Sequence, residues 1–199
     1  MTKPILTYFD FPGGRGEAAR LALHVAGAEW TDDRFSGNWP EKKPSTPFGG
    51  LPTLEVPGKG VLSQSNAILS YIGREHGLLP GDSFEAARHE ALMNAIEELR
   101  AEAGTTGKAD EDEKRAAREA YAEGYFARWA THVSAQIKGP FVGGDAISVA
   151  DLKLYVAMRS YTKGVYDYIP ATILEAYPKI TGLMAAVEAH PRVADWHAS

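Results

Sequence analysis

The chain has 199 residues and a mass of 21.6 kDa, enough for one large domain or two small ones, and its 44% hydrophobic and 24% charged content is a globular balance. Twenty-one Lys and Arg against 26 Asp and Glu leave a net charge of -5 and a pI near 5.7, the wrong sign for a partner of nucleic acid or of an anionic membrane. Cysteine is absent, which excludes disulfides, sulfur-ligated metals and any thiol chemistry of the chain's own, so a reaction at sulfur needs a borrowed thiol.

The apolar run Ile5 to Phe9 is too short for a secretory leader, and no stretch approaches the roughly 18 apolar residues of a membrane span, so the expected location is the cytoplasm. Residues 4 to 9 read as a strand, closed by the turn formers Asp10, Pro12, Gly13 and Gly14. Leu21, Val25 and the alanines at 18, 19, 22 and 26 recur at helical spacing and predict a helix over 15–26, stopped by Gly27. A second strand is expected over Glu29 to Phe35. Gly37, Pro40, Pro44, Pro47, Gly49 and Gly50 then predict a long irregular segment without regular helix. Thr53 to Val56 and Val61-Leu62, joined by Pro57-Gly58-Lys59-Gly60, predict a hairpin, and Ser63 to Asn66 open a helix that ends near Gly77. With Pro80, Gly81 and Asp82 as linker, the domains are expected at 1–79 and 84–199.

Beyond residue 83 the chain reads helical. Leu92, Ile96, Leu99 and Ala103 mark one apolar face over 85–103, and Gly104 to Gly107 are expected to break that helix. Tyr121, Tyr125, Trp129, Val133 and Ile137 step by four along a drifting stripe, predicting one long helix over 111–138. Such a stripe is more often core than a ligand platform. Ser148-Val-Ala-Asp151 has capping-box spacing and predicts a third, buried helix. The last helical stretch surrounds Ile180 to Ala189, with Pro191 as its stop.

The six histidines show no metal-ligand spacing, so no metal is expected, and there is neither a G-x-S-x-G elbow nor a phosphate-loop glycine pattern. What remains is a set of polar residues where the first domain's strands hand over to helices: Tyr8, Arg15, Trp39, Lys43, Leu51-Pro52 and Gln64-Ser65-Asn66. Ligands of open sheets favour that crevice. Taken singly, each has a bland explanation: Tyr8 a strand aromatic, Lys43 a solvated charge, Arg15 a salt-bridged helix start, Ser65 an N-cap.

Taken together, the motifs Leu6-Thr-Tyr-Phe9 with Arg15-Gly-Glu17, Trp39 to Val56, Leu62-Ser-Gln-Ser-Asn-Ala-Ile-Leu-Ser-Tyr-Ile72 and the Ser148 to Asp151 box resemble the cytosolic glutathione transferases of the tyrosine type, most closely the sigma class. The resemblance covers the whole chain. It implies an α/β plus all-α architecture, with a thioredoxin-like N-terminal domain, an all-helical C-terminal domain and a homodimer. The implied co-substrate is glutathione and the implied partner a small hydrophobic electrophile. Catalysis would rest on Tyr8 and Arg15, because a phenol keeps its proton at neutral pH and donates it to a thiolate. Gln64 and Ser65 would hold the γ-glutamyl end at a helix N-terminus. Trp39 and Lys43 would take the glycine carboxylate, and Leu51 would pair with the cysteinyl backbone beside a cis Pro52. Glu98, rather than Glu97, would reach the partner subunit's site. Phe9, Phe11, Leu99, Ala103 and Tyr161 would wall the electrophile pocket. Three departures from the family pattern stand out: the Pro12-Gly13-Gly14 loop is one residue longer than in sigma relatives, Gly50 replaces a lysine that some relatives carry, and a glutamate, Glu98, stands where the acidic residue reaching the partner is usually aspartate. A glutathione-dependent isomerase or peroxidase, or a non-catalytic carrier of the same fold, remain alternatives.

Overall fold

The computed structural model describes residues 3–198. Strand β1 (Ile5–Phe9) lies at the centre of a four-stranded sheet, parallel to β2 (Thr31–Phe35) and antiparallel to β3 (Thr53–Val56), which pairs with β4 (Gly60–Ser63) to give the order β2-β1-β3-β4. Three consecutive residues of β1, Leu6, Thr7 and Tyr8, are buried, so both faces of that strand are covered. The edge strand β2 carries Asp32, Asp33 and Arg34 instead, and charge on an edge discourages further pairing. Helix α1 (Gly14–Val25) makes the parallel crossover and packs against α3 (Ser65–His76), which follows β4 and stops at Gly77 in the left-handed region.

The segment expected to be irregular holds a helical turn, α2 (Trp39–Lys42), continued by a 3-10 turn over Lys43–Ser45. Pro40 and Pro44 sit in the first two positions of these turns, where a missing N–H costs nothing, so proline there is compatible with the helical turns it was read as excluding.

The remaining helices are α4 (Ser83–Thr105), α5 (Glu111–Tyr121), α6 (Ala127–Gln136), α7 (Val149–Thr162), α8 (Pro178–Glu188) and α9 (Pro191–Ala198). Asp82 caps α4 by accepting from the N–H groups of Phe84 and Glu85. Gly104 lies inside α4 rather than ending it. The expected long helix is broken into α5 and α6 by a π turn over Ala122–Phe126. That turn rotates the stripe, so Tyr121, Trp129 and Val133 are buried while Tyr125 is only partly so. Pro191 starts α9 instead of merely ending its predecessor, since proline suits the first turn of a helix.

Helix α7 is the hub, packed against α1, α3, α4 and α8 and buried without interruption from Val149 to Met158. Its capping box is formed: Ser148 N–H donates to Asp151 Oδ2 at 2.8 Å, and Asp151 N–H donates back to Ser148 Oγ at 3.4 Å. Val142 N–H, donating to Asp151 Oδ1 at 2.7 Å, ties the preceding loop to the same carboxylate. Among the described residues, no helix is long and apolar enough to cross a membrane.

Candidate functional site

Tyr8 is 6% exposed and leans against the start of α1. The Arg15 N–H donates to its hydroxyl oxygen at 3.1 Å, and the fully buried Arg20 guanidinium lies 5.6 Å from the ring centre. Arg20 is itself fixed by Asp32 at 2.9 Å and by the Phe9 carbonyl at 3.3 Å. Two glycines make room for the phenol. A Cβ on Gly16 would stand 2.2 Å from the Tyr8 ring, and one on Gly14, whose φ is +71°, would stand 2.5 Å from the hydroxyl. Phe9 and Phe11 flank Tyr8, each with its ring centre 5.5 Å away, and Phe11 is 44% exposed.

Arg15, whose N–H meets this hydroxyl, also lines a cleft of about 610 Å³. Its walls are Arg15, the loop Gly50 to Pro52, the stretch Ser63 to Ala67, and Asn94 and Glu97 of α4. The Leu51-Pro52 peptide is cis, as expected. Gln64 holds a φ of +72°, an uncommon conformation for a side-chain-bearing residue, costing on the order of 1–3 kcal/mol. It stands immediately before α3, whose first residues present unpaired N–H groups and the positive end of the helix dipole to the cleft.

One carboxylate organises the charges there. Glu97 Oε2 accepts from Arg15 Nε at 2.7 Å, while Oε1 accepts from Lys153 Nζ at 2.6 Å and from Ser65 Oγ at 3.4 Å. Lys153 comes from the middle of α7 and also donates to Ser65 Oγ at 3.3 Å and to Asn66 Oδ1. Burial pushes the Glu97 carboxyl up, but the charges of Lys153 and Arg15 outweigh it and hold the group down at about 2. Burial lowers Lys153 to about 8 against the opposing pull of Glu97, and it likewise lowers the neighbouring Arg100. Among the described residues, no group of three or more His, Cys, Asp or Glu side chains is arranged to hold a metal ion.

Of the expected site residues, Arg15, Leu51, Pro52, Gln64 and Ser65 line this cleft, and Tyr8 is joined to it through Arg15. Trp39 and Lys43 are not among the lining residues. Trp39 packs edge-on against Phe9 at 5.3 Å, and Lys43 is exposed beside Gly49. Glu97, not Glu98, enters this chain's own cleft, whereas Glu98 is exposed on α4 near Tyr125. The structure places Leu99, Ala103 and Tyr161 in the helical core, at 0%, 2% and 3% exposure. Tyr161 shares a hydrogen bond of 2.6 Å with the Tyr121 hydroxyl, so the face of α4 read as a cleft wall is packed against other helices. Sequence reasoning missed Arg20, Asn94 and Lys153, whereas Asn66, named with Gln64 and Ser65, does line the cleft. Lys153 carried a signal, because its neighbours three and four residues away, Val149, Ala150, Val156 and Ala157, are all apolar and leave an ammonium to find partners outside its helix.

Comparison with known families matches residues 4–74 to the glutathione S-transferase N-terminal domain and residues 97–199 to the glutathione S-transferase C-terminal domain. Among individual proteins, the chain is similar to glutathione S-transferase 1 of Ascaris suum, 46% identical over 98 residues that cover 49% of this chain and 47% of that one. It is 40% identical over 95 residues to hematopoietic prostaglandin D synthase of Gallus gallus, with 47% of each chain covered. These alignments span about half the length of either relative. The solved structure of prostaglandin synthase D of Nilaparvata lugens superposes with a TM-score of 0.87 at 26% identity, covering 100% of this chain and 98% of the other.

Proposed function

Because the chain belongs to the glutathione S-transferase family, we propose that it is a glutathione transferase, binding the tripeptide along the cleft and delivering its thiolate to small hydrophobic electrophiles. The observation that carries this reading is the Tyr8 hydroxyl. Its oxygen accepts the Arg15 N–H, and no acceptor among the described residues takes its own proton. That proton is available to a thiol sulfur on the cleft side.

An unperturbed thiol has a pKa of about 8.5, and moving it to about 6.5 raises the thiolate share at pH 7 from about 3% to about 75%, worth roughly 2.7 kcal/mol. One hydrogen bond to a charged group contributes about 1.5–3 kcal/mol, so the phenol supplies much of what is needed. The thiolate then attacks the electrophilic carbon. A C–S bond forms as the leaving group departs with its bonding pair. Gln64, Ser65 and the N-terminus of α3 would receive the γ-glutamyl end, and Leu51 would pair with the cysteinyl backbone. Trp39 and Lys43 would close over the glycine carboxylate. Exposed Phe11, stacked on Phe9 at 6.4 Å, offers the apolar wall for the electrophile. The working form is proposed as a cytoplasmic homodimer with a role in detoxification, in which Glu98 of each protomer reaches the neighbouring site.

The likeness to two prostaglandin synthases supports a second reading, a glutathione-dependent isomerase using the same sulfur. The two differ in stoichiometry, since conjugation consumes one thiol per turnover and isomerisation returns it. The test is turnover of a chromogenic aryl halide with glutathione by the parent and by Tyr8→Phe. The expected result is a 10- to 100-fold fall in kcat, on the order of 1.4–2.7 kcal/mol, with glutathione binding largely kept. Equal turnover by both proteins rejects the tyrosine mechanism, and a protein inert toward the aryl halide that turns over a peroxide-bridged lipid in the presence of glutathione with no loss of thiol selects the isomerase.

A further inference from the structure

Three cations, Arg15, Arg100 and Lys153, gather around one carboxylate, Glu97, at the junction of α1, α3, α4 and α7. The cationic excess suits a ligand that brings a second carboxylate. Two of the four groups, Arg15 and Glu97, line the cleft, whereas Lys153 stands behind it at 2% side-chain exposure and touches the lining residues Ser65, Asn66 and Glu97 from below.

Resting on the glutathione reading above, we infer that Lys153 is a positioning residue of the γ-glutamyl subsite: an ammonium from the helical domain that sets the Ser65 hydroxyl, the Asn66 amide and the Glu97 carboxylate for the amino-acid end of the peptide. The geometry leaves it little other purpose. Burying a lone ammonium in an apolar helix is costly, and its three acceptors all belong to the first domain or to α4 at the cleft. By donating to Ser65 Oγ it directs that hydroxyl's own proton, which in the structure points to Glu97 Oε1. By occupying Oε1 it leaves Glu97 anchored at both oxygens, so the carboxylate is fixed in place, with lone pairs to spare for the ligand's ammonium. The same bridge couples the two domains, since α7 reaches α3 and α4 through it.

The groups facing Lys153 are Glu97 and Arg100 on α4, Arg15 on α1, and the neutral Ser65 and Asn66 on α3. Its charge fades as pH rises through about 8, and the arrangement it holds fades with it.

The test uses the full chain and S-methylglutathione, which has no thiol to titrate. Calorimetric Kd values are measured from pH 6.5 to 9 for the parent and for Lys153→Met, with kcat and KM for glutathione measured beside them. The expected result is a Kd and KM raised about tenfold in K153M at neutral pH with kcat within about twofold. The parent's affinity should also weaken through pH 8 in a step that K153M lacks. The inference is overturned if K153M binds within twofold of the parent with an unchanged profile, or if kcat falls at least as far as KM rises, along with the melting temperature, as for a merely structural residue. If K153M does not fold, Lys153→Arg, whose charge persists throughout that range, takes its place, and an affinity that weakens through pH 8 just as in the parent is the overturning result. A parent that binds no S-methylglutathione at any pH sinks the glutathione reading itself and this inference with it, whereas a parent that binds while K153M is unaffected sinks only the role of Lys153.

Discussion

Gly16 passes so close to Tyr8 that a Cβ on the glycine would lie 2.2 Å from the phenol's Cγ and 2.6 Å from its Cβ. The start of α1 therefore rests directly on the ring, and the N–H of Arg15, one residue earlier, meets the hydroxyl. The position of the hydroxyl is set by backbone contact rather than by side chains alone.

Gly16→Ala is expected to push the ring away from the helix. Overpacking of this kind costs about 1–3 kcal/mol, and here the displaced atom carries the chemistry. Melting curves should show that loss, and kcat should fall at least tenfold with the melting temperature still well above the assay temperature. An alanine variant with parental turnover would show that the close contact does not control the phenol.

The Lys153–Glu97 pair should respond asymmetrically to truncation. Glu97→Gln leaves a buried ammonium without its counter-charge, whereas Lys153→Met leaves a carboxylate that is 26% exposed and still bound to Arg15. Losing one partner of a fully buried pair costs about 3–5 kcal/mol, and partial exposure of Glu97 reduces that to on the order of 2 kcal/mol for E97Q. The loss should be larger at pH 6 than at pH 9, because at high pH the uncompensated lysine sheds its proton. Chemical denaturation at both pH values checks the ordering, and a less stable K153M than E97Q at pH 6 contradicts it.

The pair also sets an acid limit. The folded pKa of Glu97, about 2, is depressed below its ordinary value, so its contribution to stability is complete above that ordinary value and is lost as pH falls toward 2. The denaturation midpoint of the parent should drop between pH 4.5 and 2 more steeply than that of E97Q. Parallel curves would mean that Glu97 is not held in its charged form.

Ser148→Ala removes the acceptor for Asp151 N–H, the donor to Asp151 Oδ2 at 2.5 Å and the partner of His89 at 3.1 Å, all in a buried setting. Loss of a cap costs about 0.5–2 kcal/mol, and the buried bonds place this one at the upper end. A melting temperature unchanged from the parent would show that the box is dispensable.

The first domain was legible to the end of α3, apart from the helical turns over 39–45, because its strands are short, punctuated by glycine and proline, and followed by a helix start at Ser65. The helical domain was legible in its periodicity but not in its partners. Leu92, Ile96, Leu99 and Ala103 define an apolar face, yet only the tertiary arrangement shows whether such a face meets solvent, ligand or another helix, and here all four are buried, with α4 packed against α5 and α7. Pro191 misled because proline both follows and begins helices. The polar residues of the cleft were found where they are contiguous in sequence, as in Gln64-Ser65. Those that converge from distant segments, Glu97 and Lys153, are 56 residues apart and belong to different helices. Pairwise spacing carries no trace of such a contact.

The proposed catalysis turns on a phenol that steadies a sulfur anion, and the direct measurement is the ultraviolet thiolate absorbance of bound glutathione, titrated with pH in the parent and in Tyr8→Phe. The expected result is a bound thiol that ionises about two pH units below the free peptide in the parent and returns close to the free value in the variant. A bound thiol that ionises at the same low pH in both proteins would contradict it and assign the anion to another donor.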